Sequence, residues 1–186
     1  MRILSLSLLI ALSLSGCEIV NSVRLLTANR SVEHQWMSNA NEDQLPLSFI
    51  GEVMYVDVSI NGQPGYRFLL DTGAHVPCLM RTEKIAKLNL SADYTLKIGG
   101  NGNEDASPAF VSKIKQLDIG PARFNDVTFC VIPIETTGYY IRGDEALFDG
   151  VIGDDFFDHF AIQVDSASKQ LTIFKDDYVP GIGDVA

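Results

Sequence analysis

The chain is poor in basic residues, cysteine and histidine, and each shortage narrows the classes of protein it can belong to. Of its 186 residues, 14 are Lys or Arg and 24 are Asp or Glu, so the formal net charge is −10 at pH 7. No basic patch is visible, which argues against a nucleic-acid partner. The three histidines, His34, His75 and His159, show no metal-ligand spacing. A zinc peptidase is therefore disfavoured, and we expect neither a metal nor another cofactor.

Long apolar runs and internal repeats are also missing. The apolar stretch from Ile3 to Leu14 is too short for a comfortable membrane span. No repeat or low-complexity tract stands out in the sequence. The proportions of 46% hydrophobic and 20% charged residues are ordinary for a globular chain. At this length they predict one folded domain.

The N-terminus has the layout of a secretory signal, with Met1-Arg2, an apolar stretch and then Leu14-Ser15-Gly16-Cys17. Those last four residues resemble a bacterial lipobox, whose cysteine becomes the lipidated N-terminus. The resemblance implies a signal peptide over 1–16 and stable anchoring by several acyl chains on Cys17. Glu18 is not the Asp associated with inner-membrane retention, so the outer membrane, facing the periplasm, is the expected location. We interpret the polar segment 17–48 as a lipidated N-terminus and flexible tether with a short helix around 20–28.

The most informative segment is Phe68-Leu69-Leu70-Asp71-Thr72-Gly73-Ala74. Upstream, Val53–Ile60 is rich in β-branched residues, which predicts a strand, and Asn61-Gly62 is a strong hairpin signal. The loop extends through residues 63–65, and Tyr66–Leu70 returns as the second strand. Asp71 therefore ends a hairpin at the edge of an apolar core, where we expect a poorly solvated carboxylate.

This segment closely resembles the active-site loop of aspartic proteases, and Ala74 after the glycine is most similar to the retropepsin branch. The later stretch 148–153 resembles the strand that crosses this loop in the family, and a short helix over 154–160 and a hairpin over 161–174 follow it. The resemblance implies an all-β, retropepsin-like closed barrel or half-barrel with one short helix near the C-terminus. The protease domain would occupy 49–175, and 176–186 would be a tail.

The resemblance also implies roles for individual residues. Asp71 would be catalytic, and the remainder of its loop would hold two such loops together and admit substrate: Thr72, Gly73 and Ala74. A supporting strand would lie against the loop: Val151, Ile152 and Gly153. The glycine-rich segment between the two halves is either a flap over the substrate or a plain surface loop: Gly99, Gly100 and Gly102. His75 departs from the Asp often found at its position, so substrate pairing there is open.

A second Asp-Thr/Ser-Gly loop is absent from the chain. If the protein is a protease, the second carboxylate must come from another copy, which implies a twofold homodimer. The implied activity is that of an aspartic endopeptidase, in which an Asp dyad activates water to hydrolyse a peptide or protein substrate. Two alternatives stay open. One is a catalytically inactive, peptide-binding lipoprotein of the cell envelope, and the other is a structural lipoprotein whose Asp-Thr-Gly is only a turn.

The three cysteines are expected to have different chemical roles. Cys17 is assigned to the lipid. Cys78 and Cys130 remain either as a disulfide, which persists in an oxidising compartment, or as two buried free thiols. A nucleophilic cysteine is improbable because the sequence places no histidine to activate it.

Overall fold

A computed structural model describes residues 18–98, 107–133, 141–142 and 145–175. Several expectations from the sequence lie outside this part of the chain. They concern the signal peptide 1–16, the lipid-bearing Cys17, the flap candidates Gly99, Gly100 and Gly102, and the tail 176–186.

The described part is built mainly of strands. The strands, in chain order, are β1 (Glu33–Trp36), β2 (Glu42–Ile50), β3 (Val53–Ile60), β4 (Gln63–Leu70), β5 (Cys78–Met80), β6 (Tyr94–Ile98), β7 (Ser107–Ile119), β8 (Ala122–Ile132), β9 (Ile141–Arg142), β10 (Glu145–Ala146), β11 (Gly150–Ile152), β12 (Ile162–Asp165) and β13 (Gln170–Phe174). The helices are α1 over 18–27, α2 (Glu83–Ala86) and α3 (Asp154–Phe157). Among the described residues, no helix combines the length and hydropathy needed to cross a membrane.

Most of the strands form one mixed sheet. Its path runs β12-β13-β2-β3-β4-β11-β5-β8-β7-β6, while β1 pairs with β8. A short pairing of β3 with β7, at Ser59–Asp118 and Ile60–Leu117, curls the sheet back on itself. The expected all-β, half-barrel architecture is therefore confirmed, and α3 is the expected short helix near the C-terminus.

The β3–β4 hairpin turns more tightly than the sequence suggested. Asn61 and Gly62 both have positive φ, 51° and 75°, and they form a two-residue turn between Ile60 and Gln63. Such turns match the twist of the flanking strands. Pro64 was expected in a longer loop, but it lies inside β4. A proline is tolerated there because β11 pairs with β4 only from Phe68 onward, which leaves this end of the strand at an edge.

Two apolar clusters fill the fold. The larger one includes Ile60, Phe68, Leu79, Phe129 and Ile152, each at most 2% exposed. The second cluster contains these buried residues: Leu25, Tyr55, Met80, Leu96, Ala109, Val111, Cys130, Ile132, Phe148 and Val151. Partly buried residues of the Asp71 region, including Leu69 and Ala74, pack against this second cluster. The Asp71 loop is therefore supported by the second apolar cluster.

The segment 18–48 is not a flexible tether, which corrects the interpretation from the sequence. The expected short helix is present as α1, β1 pairs with β8, and β2 lies between β3 and β13. Buried Asn29, between α1 and β1, joins this segment to β8. Its side-chain amide donates to the Thr128 carbonyl and accepts from the Thr128 N–H, both at 2.9 Å. The polar composition hid the alternation of Leu45, Leu47 and Phe49 along β2.

Candidate active site

Asp71 follows directly after β4 and is held by the strand beside it. β11 runs parallel to β4, with Gly150 opposite Phe68 and Ile152 opposite Leu70. The Asp71 N–H donates to the Ile152 carbonyl at 3.0 Å, which continues this pairing by one residue. The Ala74 N–H then donates back to the Asp71 carbonyl at 3.0 Å, closing a tight turn. These two backbone hydrogen bonds thus fix the position of the Asp71 backbone, from which the carboxylate side chain extends.

Gly73 holds the carboxylate itself. Its N–H donates to Asp71 Oδ1 at 2.9 Å. A Cβ at position 73 would lie 3.3 Å from the same oxygen, which is tighter than most real Cβ contacts. Glycine therefore allows the backbone donor to approach the charged group, and a hydrogen bond to a carboxylate is stronger than one between neutral groups.

Gly153 allows the crossing strand to lie against the Asp71 loop. A Cβ on Gly153 would come within 2.3 Å of the Ala74 carbonyl oxygen and 2.5 Å of the Asp71 carbonyl oxygen. Both are backbone atoms, so no side-chain rotation would relieve the overlap. The Asp154 N–H donates to the Ala74 carbonyl at 3.1 Å. The segment proposed from the sequence as a supporting strand is thus in direct contact with the loop.

Gly150 allows a similar close approach at the start of β11. A Cβ there would lie 2.6 Å from the ring of Phe68, the buried residue opposite it on β4. The ring occupies the space that a larger side chain would need. Since cores tolerate little overpacking, Gly150 sets the distance between β4 and β11.

Asp71, Thr72 and Gly73 are all exposed in the single chain. The expectation of a poorly solvated carboxylate is therefore wrong for one copy of the protein. Leu70 before the loop is 7% exposed, but the chain turns outward immediately after it. The loop presents its carboxylate and hydroxyl at the surface, where another molecule can reach them.

His75 lies beside the loop and contacts α3. Its Nδ1 is 2.5 Å from Asp154 Oδ2, and the two side chains are 75% and 40% exposed. Pairs this exposed contribute about 0–1 kcal/mol, because water screens them. The backbone contacts of Gly153 and Asp154 therefore matter more for the position of the loop than the His75 pair does.

Asp149 is a residue whose importance the sequence reasoning missed. It is 5% exposed, and its carboxylate accepts from the Arg67 N–H at 3.1 Å and the Thr82 hydroxyl at 2.8 Å. Lys84 Nζ lies 3.5 Å away. Asp149 therefore joins β4, the start of α2 and the entry to β11. Burial and, secondarily, this carboxylate raise the pKa of Tyr66. A lone charge between apolar Phe148 and Val151 was the available signal, since buried charges need partners.

A disulfide joins Cys78 and Cys130, so the first of the two alternatives for these cysteines holds. Cys78 stands four residues after Ala74, at the start of β5, and Cys130 lies opposite it on β8 in parallel register. The bond ties the strand that leaves the Asp71 loop to the centre of the sheet.

The flap candidates fall between two strands that the structure does describe. β6 and β7 pair antiparallel from Tyr94–Val111 to Ile98–Ser107. Gly99, Gly100 and Gly102 lie beyond the last described pair. Within the described ranges, no cluster of three or more His, Cys, Asp or Glu is arranged to hold a metal ion.

Comparisons with known proteins agree with this geometry. The family described as "Aspartyl protease" matches residues 56–156, which include the Asp71 loop, β11 and most of α3. The chain belongs to this aspartyl protease family. Its fold is retropepsin-like, since it resembles the crystal structure of a retropepsin-like aspartic protease from Rickettsia conorii. That match has 19% sequence identity and a TM-score of 0.50, and covers 78% of this chain and 94% of the other. No curated protein sequence matches the chain.

Proposed function

We propose that the protein is an aspartic endopeptidase that works as a homodimer. The observation that carries the proposal is the exposed Asp71 carboxylate on a backbone-fixed loop, in a chain with one such loop. Aspartic proteases need two carboxylates, so a second copy would supply the other across a twofold axis. The surface position of Asp71, Thr72 and Gly73 supports such a pairing, because the loop tip is available to meet its symmetry mate.

In this proposal the two Asp71 carboxylates share one proton, because like charges about 3 Å apart cannot both ionise readily. The ionised carboxylate accepts a proton from a bound water, whose oxygen attacks the scissile carbonyl carbon. The protonated carboxyl donates a hydrogen bond to the carbonyl oxygen and stabilises the tetrahedral intermediate. The carboxyl group that took the proton from water then donates it to the nitrogen of the departing amine as the C–N bond breaks, which restores the singly protonated pair. Thr72 would lock the two loops together across the axis.

The test is a comparison of the wild-type protein with Asp71→Asn. A mixed peptide pool is incubated with each protein at acidic and neutral pH, and the products are identified by mass spectrometry. Asp158→Asn is the matched control, since Asp158 is an exposed acid outside the loop. We expect Asp71→Asn to lose cleavage while remaining folded and dimeric, and Asp158→Asn to keep it.

The outcomes also separate the alternative functions. Cleavage that survives Asp71→Asn refutes the protease assignment. A wild-type protein that binds extended peptides as a monomer without cutting them is instead a peptide-binding lipoprotein, which would grip its ligand by adding it to a sheet edge. The flap role of Gly99, Gly100 and Gly102 belongs to the same proposal, because β6 and β7 lead into that segment.

We further propose that the protein is a lipoprotein of the bacterial envelope, anchored through Cys17 to the outer membrane and facing the periplasm. The signal-like residues 1–16 and the Leu14–Cys17 pattern support this. The Cys78–Cys130 disulfide is consistent with an oxidising compartment. The test is mass spectrometry of the N-terminal peptide from the membrane fraction, with Cys17→Ser as the variant expected to lose the acyl chains. An unmodified mature N-terminus would refute the anchor.

A further inference from the structure

Helix α1 exposes most of its apolar side chains, whereas a helix on a protein surface usually buries them. Ile19 and Val20 are each 64% exposed, Val23 is 55% exposed and Leu26 is 51% exposed. At 100° per residue these four positions fall within an arc of about 120° on one side of the helix. We call this arc the outer face of α1. It is a continuous aliphatic strip that none of the residues described by the structure covers.

The opposite side of α1 faces the domain and is partly polar. Leu25 is 4% exposed and belongs to the second apolar cluster, and Asn21 and Ser22 beside it are half-buried. A surface helix normally buries its apolar stripe and exposes its polar one. In α1 the arrangement is largely inverted. The sequence of this helix is therefore better suited to having something apolar against its outer face than to facing water.

The helix is fastened firmly enough for its outer face to have a defined direction. Asn21 Nδ2 donates to the Thr95 carbonyl on β6 at 3.1 Å. The Arg24 guanidinium lies 4.4 Å from the centre of the Tyr94 ring, within the range of a cation–π contact. Buried Leu25 and, just past the helix, buried Asn29 complete the attachment. Whatever covers the outer face is thus held against the whole domain.

We infer that the outer face of α1 lies in the surface of the lipid bilayer beside the anchor. This inference depends on the proposed lipidation of Cys17, the residue directly before the described part of α1, and not on protease activity. Acyl chains on Cys17 would bring the helix to the membrane, where an aliphatic face can enter the boundary between headgroups and acyl chains. Residues 18–30 carry two exposed basic residues, Arg24 and Arg30, and one acid, Glu18, and this net positive charge suits contact with anionic headgroups. The chain as a whole is acidic, so an excess of basic over acidic residues in this segment sets it apart.

A consequence is that the domain does not swing freely on its anchor. With α1 fixed to β6 on one side and to the bilayer on the other, the sheet is held close to the membrane in one orientation. Strand β6, which leads into the flap candidates, is joined directly to α1 by the hydrogen bond from Asn21 to Thr95.

The experiment uses the full chain, processed in cells and reconstituted in vesicles of phosphatidylethanolamine and phosphatidylglycerol. Val23→Cys is labelled with a polarity-sensitive fluorophore after purification, and mass spectrometry of the N-terminal peptide verifies the lipid independently. Ser166→Cys is the matched control, because Ser166 is exposed in the β12–β13 turn, at the other end of the sheet path from β6. The quencher is brominated phospholipid.

We expect a blue-shifted emission from the Val23→Cys probe and a marked loss of its fluorescence with brominated lipid, unchanged when proteins are diluted to about one per vesicle. The Ser166→Cys probe should show neither effect. Emission from Val23→Cys that matches the control, in a verified lipoprotein, overturns the inference. A blue shift that disappears on dilution also overturns it, and assigns the face to a second copy. If the N-terminal peptide carries no lipid, the anchor proposal fails, and the inference that depends on it fails too.

Discussion

Replacing Gly153 with alanine adds one methyl group at the contact between the crossing strand and the Asp71 loop. The new Cβ would lie 2.3 Å from the Ala74 carbonyl oxygen, whereas an ordinary contact is at least 3.4 Å. The loop and strand must therefore separate by about 1 Å, because both obstructing oxygens belong to the backbone. Overpacking of this kind costs about 1–3 kcal/mol of stability. A displacement of about 1 Å in a catalytic group can lower the rate by about 10²-fold.

The assay compares the rate of peptide cleavage by Gly153→Ala with that of the wild type, alongside urea unfolding of each. Gly51→Ala is the control, because Gly51 also resists substitution through its positive φ, yet a Cβ added there would have no atom within 4 Å. We expect Gly51→Ala to lose about 1–2 kcal/mol of stability, the cost of a Cβ in the left-handed region, and no activity. A Gly153→Ala protein with wild-type turnover would show that this contact does not set the position of Asp71.

Three further predictions concern stability. Asp149→Ala should cost about 1–3 kcal/mol in urea unfolding, because it leaves buried donors without their acceptor; an unchanged midpoint would contradict this. Replacing both Cys78 and Cys130 with alanine should cost on the order of 2–4 kcal/mol for a cross-link of this span, and wild-type stability under oxidising conditions would count against it. Hydrogen bonds from Ser168 and its neighbour lower the pKa of Asp165 below 3.8. The stability that Asp165 adds is thus present above pH 3.8 and lost as the pH falls through the lower folded value. Asp165→Asn should therefore destabilise the protein at neutral pH and have no effect at the acid limit; an equal loss at both would refute the assignment.

The β-hairpin before Asp71 could be predicted because its signals are local. The alternation along Val53–Ile60 and the Asn-Gly turn determine each strand and its direction without reference to distant residues. The hairpin of β12 and β13 was predictable for the same reason. The motif residues Asp71 to Ala74 then indicated the position of the candidate active site.

Features that depend on packing between distant segments were harder to predict. The polar composition of 18–48 concealed strand β2, and the helix expected around 20–28 gave no sign that its apolar side would face outward. The apolar neighbours of Asp149 indicate that it needs partners, but they do not identify them, because those partners are 65 to 82 residues away. The exposure of Asp71 also could not be read from an apolar strand before it, since the chain changes direction within a single residue.

Mixing wild-type protein with Asp71→Asn tests most directly whether two copies make one site. Subunits are exchanged at constant total concentration, and the rate of peptide cleavage is followed as the wild-type fraction is varied. If only dimers with two intact Asp71 side chains are active, an equal mixture retains about one quarter of the wild-type rate, because random pairing makes the rate follow the square of that fraction. A rate that falls in simple proportion, to about one half, would mean that each chain acts alone and would contradict the account.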